Sequence, residues 1–414
     1  MHKRYLLIGI DGGATKVNGW SINVSENKFT LERYNSVAEY ADQDNYINDF
    51  RPINLEKQLA ELENGKIQIS DSERKQAQAF IQATFEIIKD IVQQSGINQV
   101  LIGEGMPGLK TEDQRGIAVM ANGPRIVNYC DELERRLEAA GIELIQPIAK
   151  LGSDAYYCGL GEEFAKNGKF ANVKNSYYLG GGTGTADALK LEGELINLDD
   201  IKDWFVKTWE LKNERGFSQQ RYASAQGIQE IYAENTGRKL GELNRQKIYP
   251  IQIWKKACAN DKAAIKTFDI LTKNLARLVY ERISTLYSGW QDCFSFVSSN
   301  RIKPRSDHPY KGTLLDSIII GQRLGEVFKR AEDENILWEP FLKKLSILIN
   351  TSSCLDETAK SHYCPNGEFH KDIIENSELR EAPALGAGID AYFNHKSETK
   401  PEEKDARARG NSRN

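Results

Sequence analysis

Four short stretches combine residue types at spacings that suit phosphate chemistry. Asp11-Gly12-Gly13-Ala14-Thr15-Lys16 follows an apolar run and joins an acid, two glycines, a hydroxyl and an amine. Consecutive glycines let the backbone approach a polyphosphate, and the amides of a tight turn form an anion-binding concavity. Asp11 suits a magnesium ion held through water, since Mg²⁺ keeps several waters and takes few carboxylates. Thr15 and Lys16 stand where phosphate oxygens would be met. The same residues also suit a plain hairpin turn. Gly180-Gly181-Gly182-Thr183-Gly184-Thr185 repeats the theme between two further strand patterns, and again reads as a phosphate loop or as a flexible turn. Gly152-Ser153-Asp154-Ala155 ends a strand and opens a helix. A carboxylate there can take the proton of a hydroxyl attacking a γ-phosphate. Ser153 or Asp154 equally suits the N-cap of the helix that follows. In Ile318-Ile319-Ile320-Gly321-Gln322-Arg323-Leu324-Gly325 a strand ends in glycine before a helix, so a base or ribose could pack on bare backbone.

The elements that must position these residues follow from periodicity. Tyr5–Ile10 and Val17–Ile22 read as a hairpin around the first Gly-rich turn, which excludes the strand-to-helix turn of a dinucleotide site. Residues 35–70 are polar and irregular, and read as an insertion or helical excursion. Helical spacing runs from Ser72 to Gly96, with Gly96 as the stop. A strand at Gln99–Ile102, a helix at Asp131–Ala140 and a strand at Glu143–Ile148 lead to Asp154. The second half repeats the order: strands at Ser176–Leu179 and Ala186–Leu191, helical patterns over 203–287, a strand at Ser317–Ile320, and a small-residue helix at Ala382–Phe393. These predict a lobe of residues 1–151 completed by the helix 382–395, and a second lobe of 152–381. Residues 396–414 are more than half charged with nothing large to bury, and read as a disordered tail.

Composition narrows the class. With 55 Lys and Arg against 59 Asp and Glu, the formal charge of −4 gives no global field for nucleic acid or an anionic membrane. Apolar residues make up 40% and no run approaches the ~20 needed for a membrane span, so neither nucleic acid nor membrane is an expected partner. Six scattered cysteines without a CxxC pair suit reduced thiols, and the expected compartment is the cytoplasm. Cys354, His362, Cys364 and His370 share one segment, but their spacing fits no standard zinc finger or knuckle.

Taken in order, the motifs resemble those of the actin/hexokinase/heat-shock ATPase superfamily, and most of all the ROK sugar kinases. Leu7–Lys16 resembles the family's first phosphate motif, Ser153–Glu162 the segment around its catalytic Asp, and Leu179–Thr185 with Gly193 its second phosphate motif. Ile318–Gly321 resembles the adenosine motif, and Ala384-Leu385-Gly386-Ala387-Gly388 the closing helix. The resemblance implies an α/β fold of two ribonuclease-H-like lobes with a nucleotide cleft between them, ATP and Mg²⁺ as cofactors, and a small-molecule sugar as substrate. It implies Asp154 as the base and Asp11 as the residue positioning metal or phosphate. Gly12, Gly13, Thr15 and Lys16 would cradle the phosphates with Gly181, Gly182, Thr183 and Gly184, and Gly321 would lie beside the adenosine. Gly105, Pro107, Asn122 and Gly123 resemble segments lining the sugar pocket. Family members are often dimers, which leaves a homodimer open.

The chain also departs from the pattern. Ser153 stands where the family usually has a sugar-binding Asn, and the family's zinc motif is missing, so structural zinc is not expected. Region 203–227 instead holds Trp204, Trp209 and Glu210; the tryptophans suit a sugar face or the core, and Glu210 is a candidate sugar ligand. The function expected is phosphoryl transfer from ATP to a hydroxyl of a hexose, N-acetylhexosamine or related polyol. The alternatives are a non-kinase ATPase acting on a partner protein, and a catalytically degenerate sugar- or nucleotide-binding protein.

Overall fold

The computed structural model describes residues 5–332 and 334–399. Packing divides the chain into two units, residues 1–166 with 381–414, and residues 167–380.

In the first unit, β1 (Leu6–Gly12), β2 (Lys16–Ser25) and β3 (Lys28–Glu39) form an antiparallel meander. A short helix α1 (Leu55–Glu63) and the long α2 (Asp71–Ser95) precede β4 (Gln99–Gly105), which pairs parallel with β1. The small hairpin of β5 (Leu109–Lys110) and β6 (Ile117–Val119) leads to α3 (Tyr129–Ala139). Then β7 (Glu143–Leu144) and β8 (Leu151–Gly152) both pair parallel with β4, and α4 (Asp154–Phe164) follows. The sheet order is β3-β2-β1-β4-β7. Its core gathers alternate residues of the strands, such as Ile8, Ile10 and Ile102, with Phe80, Ile87 and Ile88 of α2. A Ser70–Glu73 capping box starts α2, and Gly96, the stop the sequence predicts, ends it at φ +71°.

The second unit repeats the plan. β9 (Ser176–Gly181), β10 (Thr185–Leu191) and β11 (Glu194–Ile196) form the meander. After β12 (Leu211–Lys212) come the helices α5 (Ala225–Thr236), α6 (Leu240–Arg245), α7 (Pro250–Cys258) and α8 (Lys262–Ser288). β13 (Ser295–Phe296) pairs with β12. Next, β14 (Ser317–Gly321) pairs parallel with β9, followed by α9 (Gln322–Arg330), α10 (Trp338–Asn350), α11 (Glu357–Tyr363) and β15 (Ile374–Asn376). The sheet order is β11-β10-β9-β14-β15, so both units carry the ribonuclease-H-like topology. The last helix, α12 (Ala382–Thr399), returns to the first unit.

That return depends on glycine. A Cβ on Gly9 would lie 1.9 Å from the Ala384 carbonyl oxygen, one on Gly103 1.9 Å from that of Ala387, and one on Gly386 1.9 Å from that of Tyr157. The backbones of α12, α4 and the sheet therefore touch where any side chain would hold them apart.

Several boundaries differ from expectation. The division falls after Lys166 rather than Leu151, because α4 packs with α12. Residues 35–39 are not irregular but finish β3, an edge strand whose alternate residues are exposed, so it lacks an apolar signature. Tyr40, just beyond, is buried and stacks on Phe80 with centroids 3.7 Å apart. The strand expected at 143–148 is reduced to Glu143–Leu144. Residues 203–224 hold turns and short 3₁₀ segments instead of helices. Of the expected tail, 396–399 are helical, while 400–414 lie outside the described residues.

Candidate functional site

In the first unit, the predicted residues converge on one end of the sheet. Asp11, one residue before the end of β1, pairs with Gly105 of β4, and Gly105 in turn pairs with Gly152 of β8. Ser153 and Asp154 follow at once. Ser153 occupies the N-cap of α4 but makes no side-chain capping bond. Asp154 sits exposed in the first turn, where the helix dipole favours its negative charge, and its Oδ1 accepts from the Ala155 N–H at 2.8 Å. Burial, and then the carboxylates of Asp154 and Glu381, push Asp11 up to about 7, against the pull of Lys16. Three acids therefore crowd one lysine, and Glu381 has no signal in any motif.

The turn itself is tied down from both sides. Gly13 N donates to Lys16 O at 2.8 Å, and Tyr40 N donates to Thr15 O at 3.0 Å. The stretch expected to be an insertion thus buttresses the first Gly-rich turn. Its two glycines differ in role. A Cβ on Gly12 would meet Met106 Sδ at 1.9 Å, so this glycine serves packing, whereas one on Gly13 would meet only Lys16 O at 3.2 Å. Thr15 and Lys16 are exposed.

Oxygen donors on neighbouring carboxylates fit a hard divalent cation. Among the described residues no group of three or more His, Cys, Asp or Glu stands close enough to hold a metal by itself. Asp11 acting through water fits that arrangement. Cys354, His362, Cys364 and His370 do not gather: His362 Nε2 meets Leu315 O at 2.9 Å and His370 faces Asp372 at 3.6 Å.

In the second unit, the turn from Gly182 to Gly184 closes through Gly182 N to Gly184 O at 2.9 Å, and Gln226 N donates to Gly182 O at 3.2 Å. Gly181 is a packing position, its absent Cβ 2.5 Å from Ala223 O. Gly321 pairs with Gly180 and leaves room for the Tyr178 ring, whose Oη would be 2.3 Å from a Cβ. Thr183 Oγ1 accepts from Arg323 Nη2 at 3.1 Å. The strand–Gly–helix stretch read from the sequence contains Arg323, but only Gly321 was given a role there.

The substrate-side candidates are less concentrated. Pro107 is partly buried two residues beyond Gly105. Asn122 is exposed and Gly123 buried on a separate turn, where a Cβ on Gly123 would meet Met120. Glu210 bonds to Arg301 Nε at 3.2 Å and to Lys207 N at 3.1 Å. Trp204 belongs to the core and stacks on His308 at 4.1 Å, whereas Trp209 is exposed. A buried network holds the segment bearing Trp209 and Glu210. Asp187 accepts from Thr208 N at 2.9 Å, and Arg282 reaches Thr208 Oγ1 at 3.0 Å and Glu281 at 2.8 Å.

No protein-family model and no curated protein matches this chain. Solved structures do. A ROK family glucokinase from Streptomyces griseus, in complex with glucose and AMPPNP, is 13% identical, with a TM-score of 0.53 over 94% of this chain and 99% of its own. A glucokinase from Parabacteroides distasonis is 16% identical, with a TM-score of 0.50 over 95% and 99%. A ROK family transcriptional regulator, a homolog of the E. coli MLC protein, is 11% identical, with a TM-score of 0.50 over 94% and 79%. The chain has the two-lobed α/β fold of these proteins. No helix of the described residues is long and apolar enough to cross a membrane.

Proposed function

We propose that this protein is a sugar kinase of the ROK type, which transfers the γ-phosphoryl group of ATP to a hydroxyl of a hexose, N-acetylhexosamine or related polyol. The observation that carries the reading is the first unit's acid pair: an exposed Asp154 at a helix start, close enough to Asp11 to raise its pKa. Asp154 takes the proton of the sugar hydroxyl as that oxygen bonds to the γ-phosphorus and the bond to ADP breaks. Gly13, Thr15 and Lys16, and Gly182, Thr183 and Gly184 in the second unit, bind phosphate oxygens. A magnesium ion, held by Asp11 through water, would supply charge neutralisation on the phosphates. Gly321 leaves bare backbone for the adenosine, and Gly105, Pro107, Asn122, Gly123, Ser153 and Glu210 are assigned to the sugar. Sugar phosphorylation keeps its product in a charged form, which suits a cytoplasmic enzyme.

The test is ADP release with ATP and Mg²⁺ across a panel of hexoses, N-acetylated amino sugars and polyols. One acceptor should drive release, and Asp154→Asn should lower turnover by about 10²- to 10⁴-fold with ATP affinity nearly kept. Full activity in that variant would overturn the assignment. ATP or sugar binding without acceptor-dependent release would favour the binding-protein reading, for which the regulator among the similar folds speaks.

A further inference from the structure

The second Gly-rich turn is bordered by three polar side chains to which the sequence reading gave no role. Arg323 Nη2 donates to Thr183 Oγ1 at 3.1 Å. A Cβ built on Gly182 would stand 3.0 Å from Gln322 Oε1 and 4.0 Å from Arg323 Nη2, and one built on Gly184 would stand 2.9 Å from Gln220 Oε1. Side-chain-free backbone is therefore framed by one guanidinium and two carboxamides, the donor types that recognise phosphate oxygens.

The charge of Arg323 is unspent. In the same unit Arg221, Arg277, Arg282, Arg301 and Arg305 each lie against a carboxylate. Among the described residues no carboxylate lies within ion-pairing distance of Arg323, which is exposed and bonded to a neutral hydroxyl. Its remaining N–H groups are free to meet an anion in the forked geometry that lysine lacks. The backbone adds a second sign. Gln322 holds φ +55°, a left-handed conformation that is strained for a non-glycine residue. That conformation persists at the joint where β14 gives way to α9, directly before Arg323. Such outliers cluster at ligand clamps.

We propose that Arg323 is a polyphosphate-binding residue, closing a cradle formed by Gly182–Gly184 with Gln220 and Gln322 at its rim. Naming ATP as its ligand rests on the kinase reading; the cradle itself requires only a polyphosphate anion. The guanidinium would keep its bond to Thr183 while a second N–H edge takes phosphate oxygens. The Gln220 carboxamide can present its NH₂ by a half-turn of the terminal group.

Calorimetric titration of the full chain with inorganic tripolyphosphate, ATP and adenosine tests this, alongside melting curves. Arg323→Ala should weaken tripolyphosphate and ATP by about ten- to a hundredfold, the range for a bond to a charged group. Adenosine binding and melting should not move, as they would if the role were only structural. Arg323→Lys should recover part of the loss, and Gln220→Ala should cost less than Arg323→Ala. Equal tripolyphosphate affinity in the parent and Arg323→Ala, or no tripolyphosphate binding by the parent, overturns the cradle. The kinase reading fails separately: Arg323-dependent polyphosphate binding with no acceptor-driven ADP release sinks the kinase and keeps the cradle. ADP release indifferent to Arg323 does the reverse.

Discussion

The two Gly-rich turns sit at the same place in two sheets of the same strand order, each joining the first strand to its antiparallel neighbour. Their surroundings are opposite in charge. Around the first, the carboxylates of Asp154 and Glu381 act on Asp11, against the pull of Lys16. Around the second stand Gln220, Gln322 and an Arg323 that no acid neutralises among the described residues. The buried polar centres also differ. In the first unit Glu104 is enclosed with Tyr129, which donates to it at 2.5 Å, and burial pushes it up to about 8. In the second, Asp187 and Glu281 enclose Arg282. One topology therefore accommodates both chemistries, because strand order fixes where a turn lies but not the side chains that reach it. On the proposed reading, the contrast puts the proton acceptor in the first unit and an arginine for the phosphates in the second.

The largest test of that division is kinetic. Asp154→Asn should act on turnover, by about 10²-fold or more, and Arg323→Ala on the KM for ATP, by about tenfold. If both move the same parameter, the division is broken. Next comes the charge in the second core. Arg282→Leu strands two buried carboxylates and should cost about 3–5 kcal/mol in denaturant unfolding. A loss below about 1 kcal/mol would mean the network is not holding the unit together. The glycines separate packing from access. Gly12→Ala should cost about 1–3 kcal/mol by overpacking Met106. Gly184→Ala should stay within about 0.5 kcal/mol of the parent while weakening polyphosphate binding. The reverse ranking would show that the second turn is the structural one.

The smallest effect is a slope. Glu104 holds its proton in the folded state to about pH 8, whereas an ordinary Glu gives it up near 4.5. Its contribution to stability is therefore complete below that lower value and lost as pH rises through about 8. The groups acting on it are Tyr129, by its hydrogen bond, and Lys110. Glu104→Gln has no proton to lose, so its unfolding midpoint should fall less between pH 5 and pH 9 than the parent's. Parallel curves would remove Glu104 as the source.

Asp11, Asp154, the glycines of both turns and the β-hairpins around them could be found from sequence, because strand alternation and glycine runs are local signals. The β3 edge could not. Its polar alternation resembles a loop until α2 and the neighbouring strand are in place. The region 203–224 misled for a related reason: its apolar residues, Trp204 and Phe205 among them, are buried by tertiary packing without helical structure.

From the chain alone came the duplicated strand plan, the candidate base and both Gly-rich turns, since each is written in short, local stretches of sequence. Only the tertiary structure placed Glu381 beside Asp11, Tyr40 against the first turn and Arg323 on Thr183, 140 residues away. Those contacts join elements distant in sequence, and their energies depend on burial and on neighbouring charges, which no local pattern encodes.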